Sequence, residues 1–125
     1  MSRTRRRRED AAREDRIVSE IVVDAYNETE RGWSWYYYLE GQIQFPFQAR
    51  CRSPGAASPL GVGEEVTVLA MAPQGRDVPE IEVLVRIGRR KLPVRLEELV
   101  CLNSSSESAQ ALEDWRYWVE RGYEF

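Results

Sequence analysis

The chain has 125 residues, of which 42% are hydrophobic and 31% are charged, and it contains two cysteines and no histidine. This length and composition suit one folded domain with its own core, and they disfavour a disordered chain. No apolar run approaches the roughly 20 residues of a membrane-spanning helix, and no export signal follows the first arginines, so we expect a cytoplasmic protein with no membrane partner.

The missing histidine and the positions of the two cysteines exclude several kinds of site. Without histidine there is no Ser/His/Asp triad and no histidine acid/base group. Cys51 and Cys101 do not form a CxxC pair, so a zinc site is not indicated. In the cytoplasm we expect both to be free thiols, with a disulfide as the alternative. A metal bound to this chain would therefore need oxygen ligands.

The formal net charge of -3 conceals a difference between the first 16 residues and the rest. Residues 1–16 hold 7 arginines and 4 acids, which leaves 11 basic and 17 acidic residues in the remainder. We interpret residues 1–16 as a basic, frayed arm and residues 17–125 as one acidic domain. Such an arm can contact phosphate backbones nonspecifically, but its Arg and Glu spacing also fits a solvated helix start.

The first predicted element is an amphipathic helix from about Ala11 to Asn27. Its apolar residues recur with the helical period: Ile17, Val18, Ile21, Val22, Ala25 and Tyr26. On its flank Glu20, Asp24 and Glu28 would stack at i, i+4 and i+8 and repel one another. A bound cation and ion pairs with Arg16 or Arg31 explain this spacing equally well.

An aromatic segment then predicts a second helix from Thr29 or Glu30 to about Glu40, ending near Gly41. Its rings are those of Trp33, Trp35, Tyr36, Tyr37 and Tyr38. Aromatic residues at helical spacing indicate a core, and we expect Trp33, Tyr36 and Tyr37 on the core side. Acidic residues border the segment, and rigid aromatic groups can hold carboxylates in place for a hard cation.

The following sequence predicts strands. Alternating residues from Gln42 indicate a strand interrupted at Pro46, and residues 53–63 form a loop by composition. Residues 66–71 and 81–87 are predicted strands, and a turn at residues 88–90 leads to a hairpin partner over 92–96. Four short strands favour an α+β fold in which a small SH3-like antiparallel barrel is flanked by N-terminal helices and a C-terminal helix.

The last predicted element is a helix that begins at a capping box formed by Ser104 and Glu107 and ends at Gly122. One face is apolar and aromatic, and it should pack on the sheet or on the N-terminal helices: Ala111, Leu112, Trp115, Trp118 and Val119. The opposite face leaves three acids for solvent, ion pairs or metal: Glu113, Asp114 and Glu120.

Three segments resemble a known family, and they read VVDAYNETERGWSWYYYLEGQIQFPFQARC, SPLGVGEEVTVLAMAP and LEDWRYWVERGYEF. In them the chain is similar to the bacterial CcbP-type calcium-binding proteins, which are small, acidic and lack EF-hands. The resemblance spans nearly the whole chain. It implies a bacterial, cytoplasmic protein that binds calcium reversibly, as a buffer or a sensor in calcium signalling, without catalysis.

The resemblance also implies that carboxylates on this α+β domain are the metal ligands. The candidate positions are Asp24, Glu28, Glu30, Glu40, Glu65, Asp77, Glu80, Glu82 and Asp114, with Glu64 as a further match. The family loop after MAP is strongly acidic, whereas this chain has Gln74, Gly75 and Arg76 there, which weakens any site built from that loop. The lack of a D-x-D-x-D-G loop predicts affinity in the sensor or buffer range.

Two other functions stay open at this point. The first is an SH3-like interaction module that docks nucleic acid or a protein partner through the arginine arm and the hairpin residues Arg89, Arg90 and Lys91. The second is an enzyme, but adjacent acids such as Glu64 and Glu65 point apart and no nucleophile or cofactor motif accompanies them. We therefore expect a calcium ion as the ligand, no catalysis, and no nucleic acid.

Overall fold

The computed structural model describes residues 10–23, 25–73, 80–103 and 105–121. Within these ranges, helices and one antiparallel sheet form an α+β fold, and no helix has the length and apolar character needed to cross a membrane. The elements in chain order are α1 (Ala11–Arg16), a π-helical turn (Ile17–Ile21), α2 (Glu28–Gln42), β1 (Phe47–Cys51), β2 (Glu65–Met71), β3 (Glu82–Ile87), β4 (Arg90–Arg95), a 3-10 turn (Leu96–Glu98), β5 (Leu99–Asn103) and α3 (Ser106–Glu120).

The first helical segment is shorter than the sequence predicted. It ends at Val22, because Asn27 has the extended backbone of a helix N-cap and its side chain accepts a hydrogen bond from the Glu30 N–H at 2.8 Å. A chain that caps α2 at Asn27 cannot also be helical up to that residue. The expected stack of Glu20, Asp24 and Glu28 on one helix is therefore wrong: Glu28 belongs to α2, and Asp24 lies outside the described residues.

Helix α2 presents one buried side to the core, and that side differs in part from the predicted one. Trp35 and Leu39 are fully buried and Tyr36 nearly so, whereas Tyr37 is 61% exposed. The placement of Tyr37 in the core was thus wrong, because it follows Tyr36 by one residue and so points about 100° away around the helix. The helix ends at Gln42, one residue after Gly41, close to its predicted end.

The five strands form an open sheet in the order β4-β3-β2-β1-β5, and every neighbouring pair is antiparallel. The alternation in β3 and β4 correctly predicted their hairpin. The expected SH3-like barrel is not confirmed, and β5 was not predicted at all. The strand expected from Gln42 begins only at Phe47, after Pro46. The edge strand β4 contains Pro93 as well as Arg90, Lys91 and Arg95.

Helix α3 closes the core on the aromatic side of α2. The Trp35 ring lies 5.1 Å from that of Trp115 and 5.8 Å from that of Trp118, between ring centroids. The helix is capped by Ser105, whose hydroxyl accepts from the Ser108 N–H, one residue later than predicted. Ser104 and Gly122 lie outside the described residues. Both cysteines are free thiols, Cys51 buried and Cys101 partly buried, as expected.

Candidate metal site

The predicted acidic residues occupy several separate parts of the fold. Glu28 and Glu30 are in the first turn of α2, Glu40 is near its end, Glu65 begins β2, Glu80 and Glu82 are at the start of β3, and Asp114 is in α3. Asp24 and Asp77 lie outside the described residues. In the part of the chain that the structure describes, no three Asp, Glu or Cys side chains are grouped so that they could hold a metal.

Asp114 is fully buried and already neutralised. Its Oδ1 atom accepts hydrogen bonds from Arg13 Nη1 and from Arg16 Nη2, each at 2.6 Å, and its side chain has no exposed surface. A carboxylate that two guanidinium groups share in the protein interior has little remaining capacity for a metal. We therefore leave Asp114 out of the candidate metal site and assign it to the contact between α1 and α3.

The acids at the start of α2 stabilise the helix end. Glu30 Oε1 accepts a hydrogen bond from the Tyr26 N–H at 2.8 Å, while the Asn27 side chain accepts one from the Glu30 N–H. Both Glu28 and Glu30 are exposed and lie where the helix dipole favours negative charge. A structural role thus accounts for Glu30, and Glu28 faces solvent beside it.

The adjacent acids Glu64 and Glu65 differ in their surroundings. Glu64 Oε1 accepts from the Gly61 N–H at 3.0 Å and so belongs to the turn before β2. Glu65 faces Arg50 across the β1–β2 ladder, with 4.0 Å between the charged atoms and both side chains at least half exposed. An exposed pair at this distance contributes little to stability, so Glu65 keeps most of its capacity for another cation.

Glu40 follows Tyr36 by one helical turn, and Tyr36 contacts the residue after β2. Tyr36, one helical turn before Glu40, donates a hydrogen bond from its hydroxyl to the Ala72 carbonyl oxygen at 3.2 Å. Burial raises the pKa of Tyr36, and the negative charge of Glu40 raises it further. The charge of the exposed Glu40 carboxylate therefore acts on the Tyr36 hydroxyl, which contacts Ala72 directly after β2.

The residues at and before the start of β3 are also acidic. Glu80 precedes β3, and Glu82 stands opposite Arg95 in the β3–β4 ladder. Arg95 donates to Glu97 Oε2 at 2.7 Å and so does not form a close pair with Glu82. Burial, and then the charge of Glu80, raise the pKa of Glu82. Glu82 therefore lies among other acidic side chains, those of Glu80, Glu97 and Glu98.

Sequence reasoning missed Glu97 and Glu98, which follow β4. Glu98 is only 5% exposed, and Glu97 Oε1 accepts from the Trp115 indole N–H at 3.0 Å. The sequence LEEL reads as an ordinary solvated pair of acids between two leucines. The one signal in the sequence was that Leu96 and Leu99 flank the two acids. In the structure both leucines are buried, and the 3-10 turn that begins at Leu96 also buries Glu98.

The donors around these acids have one chemical character. They are carboxylate, hydroxyl and carbonyl oxygens, since the chain has no histidine and its buried thiol at Cys51 has a pKa raised by burial. Oxygen donors from several elements suit a hard cation with flexible geometry, above all calcium.

Comparison with known proteins agrees with this chemistry. A family model described as calcium binding, of the CcbP type, matches residues 15–119. No curated protein matches the chain.

Two solved structures share the fold. The crystal structure of CcbP from Anabaena superposes with a TM-score of 0.81 and 34% identity, covering 94% of this chain and 97% of that one. A calcium-binding protein in its calcium-binding form superposes with a TM-score of 0.79 and 35% identity, covering 93% and 95%. This chain therefore belongs to the CcbP family of calcium-binding proteins.

Proposed function

We propose that this protein binds calcium reversibly in the cytoplasm and acts as a calcium buffer or sensor. The observation that carries the proposal is its membership in a family described as calcium binding, together with 35% identity to a protein solved in its calcium-binding form. The acidic, oxygen-only donor set described above fits that ion.

In this proposal the leading calcium ligands come from the end of α2 and from the residues between β2 and β3. The Tyr36 to Ala72 hydrogen bond holds these two elements together, and Glu40 is one turn further along α2. Glu80 precedes β3, and Asp77 lies between β2 and β3 in the sequence. We assign Glu40, Asp77 and Glu80 as the leading ligands.

Three carboxylates leave several positions of the ion to other oxygens. Calcium takes about 6 to 8 oxygen ligands, and backbone carbonyls and waters commonly complete the set. Such a site binds less tightly than one preformed from many carboxylates, which is what a reversible buffer or sensor requires. Asp24, Glu28, Glu30, Glu65 and Glu82 remain predicted ligands, and each can be tested in the same way.

Calcium titration calorimetry on single variants tests this assignment. We expect Glu40→Gln, Asp77→Asn and Glu80→Gln each to weaken calcium binding by about tenfold or more, because a neutral amide oxygen replaces a charged ligand. The matched control is Glu107→Gln, an exposed acid in the first turn of α3, which should bind calcium as the parent does. Unchanged affinity in all three variants would remove this location, and no heat in the parent would remove the function.

A second measurement separates a sensor from a buffer. A sensor must change shape when the ion binds, whereas a buffer need not. If the protein is a sensor, amide NMR signals in α1 and at the turn of the β3–β4 hairpin should also shift on calcium addition. Shifts confined to the end of α2 and the loop after β2 would identify a buffer.

A further inference from the structure

The turn of the β3–β4 hairpin carries a group of positively charged side chains, which we call the basic turn. It consists of Arg86, Arg89, Arg90 and Lys91, and all four residues are exposed. Among the described residues none of the four forms an ion pair. The charge of this surface is therefore positive, although residues 17–125 are acidic overall.

The register of the hairpin places two of these cations against each other. Arg86 of β3 is the direct partner of Lys91 in β4. Val83, Val85 and Val94 of these strands are buried, so the alternating residues Arg86 and Lys91 lie together on the opposite, outer face of the sheet. Like charges directly opposite each other destabilise a sheet, and an anion bound between them would remove the repulsion. The pair therefore favours an anionic ligand.

Neutral polar side chains extend this surface across the next two strands. Thr67 of β2 is the partner of Arg86, and Gln48 of β1 is the partner of Thr67. Gln48 donates a hydrogen bond from Nε2 to Thr67 Oγ1 at 2.8 Å, which holds both side chains on the outer face. Four neighbouring strands span about 14 Å, since adjacent strands lie about 4.8 Å apart. An extended peptide segment of about four residues covers this distance.

Apolar side chains border the two cations on the same face. Leu84 and Pro93 are direct partners in the β3–β4 ladder, two residues away from Arg86 and Lys91. Leu84 is half-buried and Pro93 is exposed. A ligand lying across the hairpin can thus place an anionic group between the cations and an aliphatic group against Leu84, which removes apolar surface from water.

The composition of the outer face distinguishes between kinds of polyanion. Glu65 and Glu82 lie on this face by the same alternation, and duplex DNA, with one negative charge per about 1.7 Å, would also meet these acids. Single-stranded nucleic acid binds largely by stacking on aromatic rings, and β3 and β4 contain none. A short acidic peptide avoids both difficulties, because its negative charge is confined to a few residues.

We propose that the basic turn docks an extended segment of a partner protein in which aliphatic residues stand among acidic ones. The carboxylates of the segment pair with the four cations of the basic turn, and an aliphatic side chain lies against Leu84. This interaction goes beyond calcium binding and uses none of the predicted calcium ligands.

NMR titration of the full chain with the capped synthetic peptide EDLEDLE tests the proposal in calcium-free buffer. We expect saturable shifts at the amides of Thr67, Arg86 and Lys91, and added salt should weaken the binding. The neutral peptide QNLQNLQ should cause no such shifts. The peptide EDSEDSE, which lacks aliphatic side chains, should bind several-fold more weakly than EDLEDLE.

Two double variants isolate the role of charge. Arg86→Gln combined with Lys91→Gln should weaken binding of EDLEDLE by about tenfold or more, because two ion pairs with the peptide are lost. Arg86→Lys combined with Lys91→Arg keeps both charges and should bind within about twofold of the parent. Arg31→Gln removes a positive charge from α2 and controls for net charge, so it should bind as the parent does.

A thermal melt guards against loss of the fold. The variant with glutamine at both positions no longer has like charges opposite each other, so it should unfold at the parent's temperature or above. EDLEDLE should raise the melting temperature of the parent but not of this variant.

Four results would each overturn the proposal. They are the absence of saturable binding, equal binding by the variant with glutamine at both positions, equal binding of EDSEDSE, and tighter binding of duplex DNA or of phosphatidylserine vesicles than of EDLEDLE. The last result would make the basic turn a contact for nucleic acid or for membranes. None of the four depends on whether Glu40→Gln loses calcium affinity, so this proposal and the calcium assignment can fail separately.

Discussion

At the scale of single residues, Asp114 shows how burial decides the role of an acid. Its carboxylate was a metal candidate by sequence, but it is fully buried between Arg13 and Arg16. Next to it the Tyr117 hydroxyl donates to Glu14 Oε2 at 2.7 Å and accepts from the Asp10 N–H at 2.9 Å. These polar contacts attach the first helix to the last.

Asp114→Asn should therefore affect stability and not calcium binding. Removing the charge leaves two arginines without their counterion, and we expect a loss of about 3 kcal/mol in the free energy of unfolding. Urea denaturation measures the change, and the surface variant Glu107→Gln should stay within about 0.5 kcal/mol of the parent. A variant that is as stable as the parent but has lost calcium affinity would return Asp114 to the metal site.

Cys51 gives a prediction about alkaline pH. Burial, followed by the charges of Glu98 and Glu64, raises the pKa of its thiol, so the folded protein keeps this proton at a pH where the unfolded chain has lost it. The stability that this thiol contributes should be present at lower pH and should fall as pH rises from about 8 to about 10.

Two variants isolate the effect. Cys101→Ala leaves Cys51 as the one thiol, and the double variant with Cys51→Ala has none. The difference between their unfolding free energies should change with pH in favour of the double variant as pH rises. Parallel pH curves would show that Cys51 has the same pKa in the folded and unfolded protein.

At the scale of elements, sequence periodicity predicted whether a segment is a helix or a strand better than it predicted where that element begins and ends. Strands β3 and β4 alternate strictly, so their hairpin was predicted correctly. Strand β5 was missed because LVCLN has no clear alternation, and it becomes a strand by pairing with β1, which a local pattern cannot reveal. The first helix was predicted too long, because its apolar period continues through residues whose backbone must turn to cap α2.

The cap of α2 yields a prediction at this scale. Asn27→Ala removes the acceptor for the Glu30 N–H and should cost about 1 kcal/mol of stability, whereas Asn27→Ser should retain most of it. Thermal or urea unfolding of the two variants provides the comparison. An equal loss in both would mean that the cap hydrogen bond is not what stabilises this helix start.

The sequence predicted the chemical type of the metal ligands but not which residues provide them. Composition alone required oxygen ligands, and the family resemblance named the acidic positions, but neither could show which acids were already neutralised. Asp114 and Glu98 illustrate two opposite errors. The candidate Asp114 is paired inside the core, and the overlooked Glu98 is buried with an Oε1 atom that accepts no hydrogen bond from the described residues. Both outcomes depend on contacts between residues far apart in sequence.

At the scale of the whole molecule, helix α1 is joined to α3 by ion pairs. Residues 11–16, at the end of the predicted basic arm, form α1, and Arg13 and Arg16 reach Asp114 about 100 residues later in the chain. A protein beginning at Ile17 should thus lose much of its stability, since Asp114 would be left buried without either arginine.

A protein beginning at Asp10 is the matched comparison, because it retains every contact described here between α1 and α3. Circular dichroism melts of the two shortened proteins and the parent make the test. If the protein beginning at Ile17 melted together with the one beginning at Asp10, the contacts of Asp114 would have no structural importance.

The position of β4 at the margin of the sheet has a consequence for the behaviour of many copies together. An unpaired outer strand invites any extended segment nearby to dock on it, which is how fibrils start to grow. In β4, Pro93 brings no N–H to either side, and the positive charges of Arg90 and Lys91 in the same strand repel a second copy of it. Concentrated solutions of this protein should accordingly not form cross-β assemblies through β4.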